Sequence, residues 1–155
     1  MIFGRRSRRI RRILIVEDEP LVAFDNEHLL TSGGYEVVAT VDNAADAVRV
    51  LDAEQVDLVL ADVRLSGDGD GHDVARAARA KGVPLLFVSG ARPDGAEALG
   101  VGWLPKPYNP RQLRGAIGAV ERLVSGRPLR RPPGGLQLFG PDVAGGNPVQ
   151  DVESR

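Results

Sequence analysis

The chain contains no cysteine. Disulfides, thiolate metal sites and cysteine nucleophiles are therefore excluded together. Long apolar runs are missing as well, and none approaches the ~18 residues that a membrane span requires. The basic opening, MIFGRRSRRIRR, leads into an apolar run that stops at Glu17. That run is too short for the hydrophobic region of a secretory signal. No glycine-rich loop follows it, which removes the usual phosphate-cradling turn of a nucleotide-binding fold. These absences lead to the expectation of a cytoplasmic chain with no membrane span.

What is present is ordinary for a globular protein. The 155 residues are 43% hydrophobic and 26% charged, enough for one domain with a sizeable core. A net charge of −1 conceals an asymmetry: residues 1–12 carry six arginines and no acid, whereas residues 13–124 carry 10 basic and 18 acidic side chains. An acidic body behind a basic leader argues against nucleic-acid binding through this chain. Residues 125–155 pack five prolines and six glycines without periodicity, the composition of a flexible tail. No helix-turn-helix fits there. The expected organisation is a flexible basic leader over 1–11, one domain over 12–124 and a flexible Pro/Gly-rich tail over 125–155. Within that tail LQLF (Leu136–Phe139) is a short apolar exception.

Five short apolar runs recur: Ile13–Val16, Glu36–Thr40, Val56–Ala61, Leu85–Val88 and Val101–Leu104. Several are continuous rather than alternating, as strands buried on both faces are. Helical patterns lie between them at Leu21–Ser32, Ala44–Ala53 and Gly71–Ala80. A stub at Gly95–Leu99 and a last helix from Pro110 to Val124 follow. Gly33-Gly34 and Gly82 supply stops, Asp42-Asn43 a cap, and Pro110 a tolerated first-turn proline. Five strands alternating with five helices predict an α/β fold: a five-stranded parallel sheet with helices on both faces and a short fourth helix.

In such sheets ligands bind outside the carboxyl ends of the strands. The first strand ends on three consecutive carboxylates, Glu17, Asp18 and Glu19. The third, VDLVLAD, ends on Asp62; the fourth, PLLFVS, on Ser89; the fifth, VGWLPKP, on Lys106 and Pro107. Adjacent carboxylates raise one another's pKa unless a cation neutralises them. Hard oxygen donors in a partly open site suit Mg²⁺, which binds through one or two carboxylates plus phosphate oxygens. Singly, each residue also has a plain structural use: acids favour a helix start, Asp begins turns and Ser caps helices. His28 and His72 fall in no metal or phosphohistidine pattern and read as surface or hydrogen-bonded structural residues.

Taken in order, the acidic pair, the third-strand aspartate, the fourth-strand hydroxyl and the Lys-Pro resemble the receiver domain of two-component response regulators. The resemblance covers about residues 12–124, and SGDGDGHD after Asp62 is similar to that family's loop before its third helix. It implies a flavodoxin-like, doubly wound sheet. It also implies Mg²⁺-dependent phosphoryl transfer to Asp62 from a histidine kinase or histidine phosphotransfer protein. Asp18 and Asp62 would ligate Mg²⁺ with the backbone carbonyl of Arg64, and Glu17 would act through water. By the same resemblance Lys106 and Ser89 contact phosphoryl oxygens, Trp103 takes the place of a switch aromatic, and the bond before Pro107 is cis. The signal would pass to a downstream protein by contact, or the chain would serve as a phosphate sink for a shared kinase. A Mg²⁺-dependent phosphohydrolase of the haloacid dehalogenase type competes less well. Glu17 stands where that family's nucleophilic aspartate belongs, and no acid follows Lys106 before Glu121.

Three departures from the family pattern stand out. Only DGAEALG is left for the fourth helix, with Gly90, Gly95, Gly100 and Gly102 weakening its surroundings. Trp103 replaces the usual Tyr or Phe, and Ser66 stands where a proline is common. PLLFVSGA (Pro84–Ala91) with a short fourth helix is similar to the FATGUY subgroup of stand-alone receivers, although Val88-Ser89-Gly90 replaces that subgroup's Ala-Thr-Gly. Many receivers dimerise through the fourth helix, fifth strand and fifth helix, and this chain is short of the first.

Overall fold

Successive strand residues point to opposite faces of a sheet, and here both faces are covered. The computed structural model describes residues 8–129, 131–132 and 134–139. In chain order the elements are β1 (Arg12–Val16), α1 (Pro20–Ser32), β2 (Glu36–Val41), α2 (Ala44–Ala53), β3 (Leu58–Ala61) and α3 (Gly71–Ala80). They continue with β4 (Leu85–Ser89), α4 (Ala96–Leu99), β5 (Gly102–Pro105), α5 (Pro110–Val124) and β6 (Gln137–Leu138). One sheet runs in the order β2-β1-β3-β4-β5-β6. Its first five strands are parallel, and β6 lies antiparallel on β5.

The continuous apolar runs follow from this two-sided burial. In β1, Leu14 and Val16 pack in the core that holds Ala47 and Leu51 of α2 and Val74 and Ala78 of α3. Ile13 and Ile15 join the opposite core, with Leu30 of α1 and Leu113 and Ile117 of α5. Each fully buried Val, Leu or Ile contributes about 1.5–3 kcal/mol, so neither face of the central strands tolerates a polar residue until the strands end. The helices start where their caps dictate. Asn43 Oδ1 accepts from the Asp46 amide at 2.8 Å, and reciprocal boxes pair Asp70 with Asp73 and Asn109 with Gln112. The fourth helix is a single turn between Gly95 and Gly100.

The structure differs from the sequence reading at both ends of the domain. The sheet has a sixth strand, because Leu136 and Phe139 are 8% and 7% exposed and pack on opposite sides of the β5 edge. Thus part of the segment read as a flexible tail is ordered. Likewise Ile10, placed in the leader, is 1% exposed. Its amide and that of Arg9 donate to the Glu121 carboxylate of α5 at 2.9 and 3.0 Å. The expectations for residues 1–7 and 140–155 lie outside the described residues. Among the described residues, no helix is long and apolar enough to cross a membrane.

Candidate phosphoryl-acceptor site

The strand order reverses direction between β1 and β3, the place where open parallel sheets form their ligand crevice. There the Asp62 amide donates to Val16 O at 2.9 Å, and the Glu17 amide donates to Val41 O at 2.9 Å. The first bond sets the ends of β1 and β3 side by side, and the second ties the end of β1 to β2. Carboxylate oxygens of Glu17, Asp18 and Asp62 consequently lie within 4.8 Å of one another. Glu17 and Asp62 are buried, and Asp18 is half-buried.

From just past the end of β5, Lys106 reaches into this group. Its Nζ donates to Asp62 Oδ2 at 2.7 Å and to Glu17 Oε2 at 3.1 Å, with Glu19 at 3.6 Å. Glu17 Oε1 lies 3.0 Å from the same ammonium as an ion pair, yet it accepts no hydrogen bond. Burial pushes the Glu17 carboxyl up to about 7, against the lowering influence of Lys106. For Lys106, burial pulls the ammonium down but is outweighed by its hydrogen bonds to Asp62 and Glu17, so its pKa is raised. The peptide bond between Lys106 and Pro107 is cis, and the Lys106 amide donates to Ser89 O at 2.8 Å.

Close approach of α3 completes the floor. A Cβ on Gly71 would fall 2.2 Å from the Asp62 carbonyl oxygen, so only glycine fits where the helix begins. The Gly71 amide donates to Val63 O at 2.7 Å. Asp62 Oδ1 accepts from the Val63 amide at 2.6 Å, leaving Oδ2 for Lys106.

The remaining residues singled out from the sequence take varied positions. Arg64, Ser89 and Pro107 line the same cleft as Asp18, Asp62 and Lys106. Ser89 is buried, but its hydroxyl donates to Ala91 O at 2.6 Å rather than to a carboxylate. The half-buried Trp103 donates its indole N–H to Ser89 O at 3.2 Å. Of the histidines, His28 is exposed against Phe24. His72 lines the cleft, with Nε2 2.8 Å from Asp94 O and its ring tilted on Phe87. Two contributions were missed: Tyr108, whose hydroxyl accepts from the buried Asn26 at 2.8 Å beside the cleft, and Arg92 in the loop after β4. Neither carries a local sequence signal, since a loop arginine and a tyrosine after a proline are commonplace.

Three acid side chains, one with a buried oxygen that accepts no hydrogen bond, fit a hard divalent cation. Glu17 Oε1 has the Lys106 ammonium beside it but no hydrogen bond of its own, and Mg²⁺ prefers oxygen donors of this kind. The donor set therefore suits the ion that the sequence pattern implies.

Comparison with known proteins gives a consistent result. The family model of the response regulator receiver domain matches residues 13–118. A curated relative, the transcriptional regulatory protein PdtaR of Mycobacterium tuberculosis, is 34% identical over 125 residues, covering 74% of this chain and 57% of that protein. The chain thus spans little more than half the length of that relative. Among solved structures, the signal receiver domain of a modulated diguanylate cyclase from Desulfovibrio desulfuricans is 30% identical with a TM-score of 0.65, covering 70% of this chain and 91% of that one. The receiver domain of the Pseudomonas aeruginosa sensor histidine kinase PA1611, described with a magnesium ion coordinated in its active-site cleft, is 29% identical with a TM-score of 0.59. It covers 68% of this chain and 92% of that one.

Proposed function

The chain belongs to the response regulator receiver domain family, and from that premise we propose that it accepts a phosphoryl group on Asp62 in a Mg²⁺-dependent reaction. The donor is a phosphohistidine of a histidine kinase or phosphotransfer protein. An Asp62 carboxylate oxygen attacks phosphorus, the P–N bond breaks, and the imidazole leaves with the electron pair and takes a proton. The product is an aspartyl phosphate, and the signal passes on by protein contact. The observation that carries this reading is the buried Asp62 with Oδ2 2.7 Å from Lys106 Nζ, inside a cluster of three acids.

Roles follow from position. Asp18 and Asp62, with the Arg64 carbonyl, are the proposed direct ligands, and Glu17 acts through water. When bound, Mg²⁺ offsets negative charge on the phosphoryl oxygens. Lys106 is already in contact with the acceptor carboxylate and holds a positive charge against the incoming group. Ser89, whose hydroxyl now bonds a backbone carbonyl, turns to donate to a phosphoryl oxygen. Trp103, tied to Ser89 through its indole, is the proposed switch aromatic. The magnesium described for the PA1611 receiver supports the same ion here. The receiver unit, placed at 12–124 by sequence, takes in Ile10 and residues 136–139 as well.

Incubation with Mg²⁺ and a small phosphodonor tests this. One base-labile phosphoryl group should be gained, Asp62→Asn should abolish it, and Asp18→Asn should weaken Mg²⁺ binding. Labelling of Asp62→Asn at the wild-type level would end the assignment.

A further inference from the structure

Parallel sheets leave an open edge at the last strand, and unpaired backbone groups there invite other chains. In this protein β6 closes that edge. The Phe139 amide donates to Val101 O at 2.9 Å, while Gly102 faces Leu138 and Trp103 faces Gln137. A Cβ on Gly102 would come within 2.7 Å of the Gln137 carbonyl oxygen, so the glycine at this position permits the close pairing. The segment is fastened at its start as well, where the Gln112 side-chain amide of α5 donates to Gly134 O at 3.2 Å.

Its other fastening leads back toward the acid cluster. Arg92 Nε donates to Gln137 Oε1 at 2.7 Å, and its guanidinium carbon sits 5.2 Å from the centroid of the Phe139 ring. Glu97 of α4 pairs with the same guanidinium at 3.2 Å. Arg92 follows Ala91 directly, and the Ala91 carbonyl is the acceptor of the Ser89 hydroxyl at 2.6 Å. Ser89 O in turn holds the Trp103 indole at 3.2 Å, on the strand residue that faces Gln137. A short path of hydrogen bonds and strand pairing therefore joins a cleft residue to the edge strand by two routes.

We propose that residues 134–139 are a strap that closes the β5 edge while the Ser89 hydroxyl bonds Ala91, and that engagement of Ser89 in the cleft releases it. The release step rests on the acceptor reading of Asp62 above; the fastening by Arg92 does not. A serine hydroxyl has one proton to donate. Given to an oxygen in the cleft, it is withdrawn from Ala91, and the loop loses the bond next to Arg92. What then holds the strap is a two-residue edge strand, two apolar anchors and the single bond from Gln112 to Gly134. Elements that short are marginal, so a small differential in free energy shifts their population. Release bares the β5 edge, which the resting protein keeps from pairing.

Amide hydrogen exchange on the full chain tests this at the Phe139 N–H. Beryllofluoride with Mg²⁺ is the probe, and its occupancy is followed separately by fluorine NMR. On binding, Phe139 protection should fall by about tenfold or more, the size of one lost hydrogen bond, while the α5 amides hold. Arg92→Ala and Ser89→Ala should each lower that protection with no ligand present. Bound beryllofluoride with unchanged Phe139 exchange overturns the release step. Failure of beryllofluoride to bind speaks against the acceptor reading instead, and the strap is then decided by Arg92→Ala: unchanged exchange in that variant overturns it.

Discussion

The Lys106 ammonium lies 2.7 Å from Asp62 Oδ2, so the cation and the proposed nucleophile share one hydrogen bond before any phosphoryl group arrives. The same ammonium also contacts Glu17. A cation held as proposed would compete with Lys106 for the negative charge of this cluster. Lys106→Ala should leave Mg²⁺ affinity intact or improved, because a competing positive charge is gone. Phosphorylation should slow by about 10²-fold, as loss of a charge-stabilising donor does elsewhere. Metal titration and phosphodonor labelling of the variant check the two halves. Unchanged labelling would remove the electrostatic role.

Glu121 gives a pH dependence remote from the acid cluster. Burial raises its pKa, but the Arg9 and Ile10 amides and the Ser125 hydroxyl outweigh that and hold it below the usual carboxylate range. A depressed folded-state pKa contributes stability that is present above the unfolded value of about 4.3 and lost as pH falls through the folded value. Glu121→Gln should cost about 1–3 kcal/mol at pH 7. Its deficit relative to wild type should shrink in acid. Urea unfolding of both proteins at neutral and acid pH measures this, and a deficit independent of pH would refute it.

Trp103 is the sole tryptophan, and its indole bonds the backbone of Ser89. If Ser89 turns toward a phosphoryl oxygen, the indole environment changes with it. Beryllofluoride with Mg²⁺ should alter the tryptophan emission, and Asp62→Asn should remove the response. A flat trace with bound beryllofluoride would make Trp103 a packing residue only.

Much of this arrangement was readable in the chain. Continuous runs such as Ile13–Val16 announced strands covered on both faces, and the residues that broke them, Glu17, Asp62 and Lys106, are those the topology gathers. Strand β6 was not readable, because two residues among prolines and glycines show no period and owe their order to the β5 edge. Nor was the seating of Ile10, which depends on a carboxylate far along the chain in α5. The direction of the Ser89 hydroxyl and the reach of Arg92 are rotamer choices set by their neighbours, and residue type alone does not fix them.

The central claim is that Asp62 itself carries the phosphoryl group. Borohydride reduces an aspartyl phosphate to homoserine, which peptide mass spectrometry locates by position. After treatment with Mg²⁺ and a small phosphodonor, then borohydride, homoserine should be found at position 62 and nowhere else. Homoserine at another aspartate, with position 62 unchanged, would contradict the account.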